Sequence, residues 1–253
     1  MDIKSGKPYP SNALSNFAPH PFYFKGVLCN SMEGLLQSLK FKDPNMQKEI
    51  CKYVGIKAKK AGSKKNWREK QVLYWQGYPI DRHSDGYQRL LDEAYEALFT
   101  QNEKAKKALL ATGDANLTHN IGHTSKKETI LTRSEFCSRL MKIRKDLKKK
   151  EAARDSMFDE DINALADAVV DEIQFMSSIN QITSNSKYKQ IVNYGWEAVP
   201  YLVEWLETKP CWWFSALNEI TGVDPVKEEN KGNYDVMKQE WIDWYVKEFY
   251  SSK

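Results

Sequence analysis

Residues 30–41, NSMEGLLQSLKF, carry three side chains whose types and spacing could share one reaction. On a helix turning about 100° per residue, Glu33, Gln37 and Lys40 fall within roughly 60° of one another. Met32, Leu35, Leu36 and Leu39 form the neighbouring apolar stripe, so an acid, an amide and an amine stand in a row beside a buried face. Partial desolvation there shifts a carboxylate and an amine toward neutrality. General acid–base or amine-nucleophile chemistry needs groups poised in that way. The same pattern has a structural reading. Glu33 sits three residues after Asn30, where a capping-box glutamate belongs, and Lys40 could be an ordinary solvated lysine.

Other reactive residue types carry less. His119 and His123 are spaced i,i+4 but have no third ligand in register, so a metal site is not expected. Cys29, Cys51, Cys137 and Cys211 form no CxxC pair, which argues against a disulfide framework and for a reducing, cytoplasmic setting. Cys29, close to the candidate helix, is expected to be a buried inert thiol. The cluster Lys57, Lys59, Lys60, Lys64 and Lys65 is a candidate path for nucleic-acid phosphates, or else a solvated face.

The elements that must position these groups are mainly helical. The first thirty residues read as loops and short strands, with PFYFKGVLC turning at Lys25-Gly26. Helices are predicted over Ser31 to about Phe41, Asn45–Val54, Tyr87–Thr100, Asn102–Ala111 and Arg133–Lys149. Lys57–Lys70 reads as a basic stretch broken by Gly62. Further helices are predicted over Ile162–Ile182, Tyr188–Asn193, Ala198–Glu207, Cys211–Ile220 and Tyr234–Phe249.

The 253 residues suit two domains, 41% of them apolar, with no run long enough to span a membrane and no apolar leader at the start. Charge divides the chain. Residues 1–150 hold 29 Lys and Arg against 15 Asp and Glu; residues 151–253 hold 9 against 19. The expected organisation is a basic domain over 1–148, a charged linker over 149–158, and an acidic all-helical module over 159–253. The basic half suits a polyanion. The acidic half suits a basic protein surface, or simply attracts the other half. Six of eight tryptophans lie in the second module (Trp196, Trp205, Trp212, Trp213, Trp241 and Trp244), where they are expected to fill a small core.

Five pieces follow one another in order: LSNFAP (Leu14–Pro19), SMEGLLQSLKF, KKNW (Lys64–Trp67), LLATGDANLTH (Leu109–His119) and LMKIR (Leu140–Arg144). Together they resemble the NADAR superfamily of YbiA-like proteins over residues 1 to about 147. Two departures stand out. Gly34 occupies the place of the histidine that follows the family's glutamate, and HNIGHTSKKETILTRSEF replaces its D-x-x-W-G segment. The resemblance implies a mainly α, YbiA-like helical domain with a few short N-terminal strands, and N-glycosidase chemistry without a cofactor. One branch of the superfamily cleaves phosphorylated intermediates of riboflavin synthesis. Another removes ADP-ribose from guanine in DNA and counters a DarT-type ADP-ribosyltransferase toxin. The basic half favours the DNA branch; a non-enzymatic ADP-ribose- or nucleotide-binding module is the third possibility.

On this resemblance Glu33 stabilises the sugar cation and activates water. Lys40 protonates, anchors or, the favoured role, attacks the anomeric carbon through its neutral amine. Gln37 binds a ribose hydroxyl or orients Glu33. Asn16 and Phe17 shape the sugar or base pocket, and Trp67 stacks on a base or fills the domain core, with Trp75 and Tyr78 as second-rank stacking candidates that read more readily as core residues. The stretch from Tyr188 to Val246 resembles a small helical module of bacterial and phage proteins; the acidic charge of this half suggests a partner-binding role, such as holding the toxin.

Overall fold

The computed structural model describes residues 1–174, 176, 178–209 and 211–250. The chain divides into two compact units, Met1–Glu151 and Ala152–Lys253.

The first unit opens with a hairpin of β1 (Phe22–Phe24) and β2 (Val27–Cys29), in register Phe22 to Cys29. Lys25 and Gly26 both take positive φ, 45° and 82°, as a tight two-residue hairpin turn demands. Three helices follow: α1 (Met32–Ser38), α2 (Pro44–Cys51) and α3 (Gly55–Ala61). A second hairpin pairs β3 (Val72–Trp75) with β4 (Tyr78–Asp81) around Gln76-Gly77, again with positive φ at both turn residues. Then come α4 (Asp85–Gln101), α5 (Glu103–Leu110) and the 41-residue α6 (Arg133–Ile173). The core gathers the stripe of α1 (Met32, Leu35, Leu36, Leu39), the inward face of α4 (Tyr87, Leu91, Ala94, Tyr95, Leu98) and Phe136 and Leu140 of α6.

Two departures from the sequence pattern matter for the site. The helix expected to reach Phe41 ends at Ser38. Beyond it Lys40 N–H bonds the carbonyl of Gln37, and Phe41 N–H that of Ser38, while the Leu39 carbonyl accepts the Tyr74 N–H of β3 at 2.7 Å. Docking the second hairpin therefore bends the last turn, and Lys40 stands just past the helix end. The basic stretch after Val54 is in part a helix, α3, whose inward residue is Ala58.

The second unit contains the last part of α6, then α7 (Ile179–Ser184), α8 (Ser186–Asn193), α9 (Val199–Thr208), α10 (Phe214–Thr221) and α11 (Tyr234–Tyr250). The helix expected over Ile162–Ile182 ends at Ile173 and resumes at Ile179; residues 175 and 177 lie outside the described ones. The expected linker, 149–158, is helical throughout. Trp205, Trp213 and Trp241 are fully buried, with Tyr188 stacked on Trp213 at 5.5 Å and 6° between planes. Trp212 and Trp244 pack against this core from its edge, and Trp196 is exposed.

Candidate active site

Glu33 sits at the second position of α1, capped not by Asn30 but by Ser31, whose hydroxyl accepts the Gly34 N–H at 3.0 Å. The glutamate is thus released from a capping role, and its own N–H is taken by the Asn16 carbonyl at 2.8 Å. Its carboxylate is 5% exposed and accepts a hydrogen bond from Gln37 Nε2 at 2.8 Å. At the other end of the same amide, Gln37 Oε1 accepts from Lys40 Nζ at 2.7 Å. Acid, amide and amine are one hydrogen-bonded row, with Lys59 Nζ 3.6 Å from Glu33 Oε1. Burial holds the Lys40 amine down to about 8, helped by the charges of Lys59 and Arg68 and opposed by Glu33.

Two adjoining cavities flank the row. The larger, about 350 Å³, is lined by Asn16, Phe17, Glu33, Gln37, His119 and Phe136, among others. That volume is in the range of small-molecule sites. The smaller, about 190 Å³, is lined by Lys40, Lys59, Lys65, Trp67 and Arg68. Gln37, Lys59, His123, Thr129 and Ile130 belong to both. Among the described residues no cluster of His, Cys, Asp or Glu has the makings of a metal site.

The wall facing α1 is the segment after His119, the one that replaces the family's glycine-rich stretch. It is irregular, yet tied down at many points. Arg82, fully buried, donates from Nε to the Thr129 carbonyl at 2.9 Å and grips Glu135 through two hydrogen bonds of 3.0 and 2.6 Å. Burial opposes a charged Glu135, but Arg82, the Thr132 N–H and Gln88 outweigh it and hold the carboxyl at about 2. Tyr87 donates to the Ile130 carbonyl, and Arg133 Nε to that of Gly122. Every carbonyl so held belongs to the wall, so the pocket is shaped before a ligand arrives.

His119 is the site residue that spacing did not reveal. Its Nδ1 bonds the Ile3 carbonyl at 2.7 Å, its ring lies edge-on to Phe136 at 5.2 Å, and the residue lines the larger cavity. The signal was out of reach because Ile3 lies 116 residues away and joins His119 only through the pairing of residues 2 and 118.

The other expected residues separate into groups. Asn16 and Phe17 line the larger cavity, and the Asn16 Oδ1 is fixed by the Tyr95 hydroxyl at 2.8 Å. Trp67 is buried and lines the smaller one. Trp75 and Tyr78 are not brought there. Trp75 packs in the core 5.2 Å from Phe24, because β3 presents alternate residues inward, and Tyr78 is 75% exposed beside the second hairpin turn. Of the lysine cluster, Lys59 and Lys65 reach the cavities, Lys57 lies over the Tyr53 ring at 4.1 Å, and Lys60 and Lys64 are exposed.

Gly34 accounts for the absence of a side chain after the glutamate. A Cβ there would stand 2.7 Å from the Tyr53 carbonyl oxygen and 2.9 Å from that of Cys51. The backbone leaving α2 occupies the space a histidine would need.

Comparison with known proteins shows the family. Residues 8–145 match the family of bacteriophage protein GP30.3, a NADAR-like family, and the chain belongs to it. A relative from Enterobacteria phage T4, an uncharacterised 17.1 kDa protein of the Gp30-rIII intergenic region, is 36% identical over 149 residues, 58% of this chain and 98% of that protein. The E. coli protein YbiA, solved by NMR, matches with a TM-score of 0.41 and 19% identity over 60% of this chain and 89% of that one.

Proposed function

We propose that the first unit is an N-glycosidase that removes ADP-ribose from guanine bases in DNA. The observation that carries the reading is the row Glu33–Gln37–Lys40, a nearly buried carboxylate joined through one amide to an amine held at about 8, on the ridge between two cavities.

Breaking a ribosyl–nitrogen bond leaves positive charge on the anomeric carbon and negative charge on the departing base. With the sugar over the Gln37 amide, Glu33 faces the developing cation from one side and Lys40 from the other. The neutral Lys40 amine attacks the anomeric carbon, the bond to guanine breaks, and the guanine nitrogen takes up a proton. His119, which lines the larger cavity with its Nδ1 tied to Ile3, supplies that proton in this reading. The sugar ring then opens to a protonated Schiff base. Water activated by Glu33 hydrolyses it to free ADP-ribose and regenerates the amine. The excess of Lys and Arg in residues 1–150 suits a DNA substrate. In the same reading the acidic second unit holds a basic partner, such as the toxin whose product is removed.

An oligonucleotide ADP-ribosylated on guanine, set against a ribosylaminopyrimidine phosphate, tests the substrate. Release of free ADP-ribose from the first supports the reading; turnover of the second alone moves the chain to metabolite hydrolysis. Binding without turnover, unaffected by Glu33→Gln, leaves a recognition module.

A further inference from the structure

Helix α11 carries two apolar stripes where packing on one core needs only one. At about 100° per residue, Tyr234, Met237, Trp241 and Trp244 share a face and pack into the core of the second unit. Ile242, Tyr245, Val246 and Phe249 follow at i, i+3, i+4 and i+7 and make a second stripe, turned roughly 110° from the first. Ile242 and Tyr245 lie against the core, whereas Val246 and Phe249 are 49% and 50% exposed. Trp196 widens this stripe. Of the six tryptophans in the unit it is the one the core does not take: Ala198 and Val199 are buried beside the short helical turn Gly195–Ala198, while Trp196 stands 54% exposed with its ring 6.2 Å from that of Phe249. The Phe249 ring is also 4.7 Å from Tyr245 and 6.4 Å from Trp244, so aromatic surface runs unbroken from the core to solvent. Contiguous exposed surface of this kind marks interaction sites, and tryptophan is among the residues that most often carry their binding energy.

The charge around the stripe selects the partner. Glu197 follows Trp196, Asp243 follows Ile242 and Glu248 precedes Phe249, all three exposed, with Lys247 as the cation on the same turns. The unit as a whole holds 18 acidic against 9 basic residues. A second copy of the chain would set like charge against like, and an anionic lipid surface would be repelled in the same way. We propose that Trp196, Val246 and Phe249, with Ile242 and Tyr245 beneath them, form the docking surface for a basic amphipathic helix of a partner protein. Its apolar face covers the aromatic stripe, and its Lys and Arg side chains meet Glu197, Asp243 and Glu248. This rests on the reading that the acidic unit holds a basic partner, and adds the place and the shape of the contact; it owes nothing to the glycosidase chemistry. The aromatic groups supply the anchors, and the carboxylates supply steering and the choice of partner.

The test is calorimetric titration of the full chain with a synthetic peptide of leucine and lysine, about five helical turns long, with its leucines on one face. A scrambled peptide of the same composition and a peptide with glutamate in place of lysine run beside it. The first peptide is expected to bind, and the other two to bind about tenfold more weakly or not at all. Trp196→Ser and Phe249→Ser should each weaken the first peptide about tenfold, the worth of a lost aromatic anchor. Both variants should keep the thermal melt of the parent, because the two side chains stand half outside the core. Tyr78→Ser, which removes an exposed aromatic of the first unit, should leave binding unchanged. Glu197→Gln combined with Glu248→Gln should weaken binding and flatten its dependence on salt. A peptide that does not bind, or that binds both aromatic variants as it binds the parent, overturns the docking surface. If such a peptide still responds to the glutamate variant, the acidic unit keeps its basic partner and only this face is lost. Self-association of the parent that Trp196→Ser abolishes would overturn the proposal in favour of a second copy. Binding to phosphatidylcholine vesicles that the same variant abolishes would overturn it in favour of a membrane.

Discussion

At the scale of single residues, the row on α1 assigns separate work to each member, and each assignment has its own signature. Glu33→Gln keeps the shape and the hydrogen-bonding partner of Gln37 while removing the charge. A loss of roughly 10²–10⁴-fold in kcat is expected, the usual worth of a positioned acid or base, with substrate affinity little changed. For Lys40 the sign of the pH effect follows from the depressed amine. Because its proton leaves at about 8, below the ordinary 10.5, the attacking neutral form grows as pH rises through 8. The profile of kcat/KM, which reports the free enzyme, should climb with an inflection near that pH. Lys40→Arg should abolish turnover and the adduct trapped by borohydride. A pH-independent rate, or full activity in Lys40→Arg, would remove the amine route and leave water attack at Glu33. His119→Gln retains a donor toward Ile3 but cannot exchange a proton. It should lower kcat while leaving the denaturant melt nearly unchanged, since His119 lines the larger cavity.

At the scale of elements, two glycines, Gly34 within α1 and Gly62 at the end of α3, give opposite expectations from the same chemical change. At Gly34 an added methyl meets three backbone carbonyl oxygens within 3.1 Å, those of residues 50, 51 and 53, which cannot move without shifting the end of α2. Gly34→Ala should therefore cost about 1–3 kcal/mol in a denaturant melt, as overpacking does. At Gly62 the methyl meets the flexible end of Gln37 and Lys40 Cδ. Gly62→Ala should leave the melt nearly unchanged and lower kcat by breaking the bridge between acid and amine; the reverse outcome would mean that Gln37 has no part in the chemistry. The facing wall depends on the Arg82–Glu135 pair, and Arg82→Met should cost about 3–5 kcal/mol because it strands a buried carboxylate. Glu135 titrates at about 2 in the fold and near 4.5 when free, so its stabilising contribution is complete above 4.5 and is lost as pH falls toward 2. What could be read from the sequence follows the same division. The row on α1 was legible because Glu33, Gln37 and Lys40 sit at helical spacing beside a leucine stripe. Helix α3 was hidden because GIKAKKA buries only an alanine, and alanine gives no periodic signal. The second hairpin was hidden because β4, YPID, has no buried member to alternate with. Trp75 read more readily as core than as a stacking residue, and the inward turn of β3 puts it there, while Tyr78, read the same way, is exposed.

At the scale of the whole chain, each unit has its own apolar core, the first drawn from residues up to Leu147 and the second from Phe158 onward. The family match ends at residue 145, and the phage T4 relative is covered almost end to end by 149 residues, so a protein of this family exists without the second unit. The residues of the candidate site, from Ile3 to Glu135, lie inside the first unit. A chain ending at Glu151 should therefore melt cooperatively and retain kcat within about twofold. A collapse of either would show that the second unit supports the pocket. The second unit, with 18 acidic against 9 basic residues, then needs a different task. Trp196 and Phe249 are exposed there, but the acidic excess is the more extensive feature, and charge-driven association weakens with salt. The full chain should retain a basic protein, such as an ADP-ribosyltransferase toxin, that the chain ending at Glu151 does not, and should release it as salt is raised. Equal retention by both, or retention indifferent to salt, would deny the acidic unit that role while leaving the glycosidase site untouched.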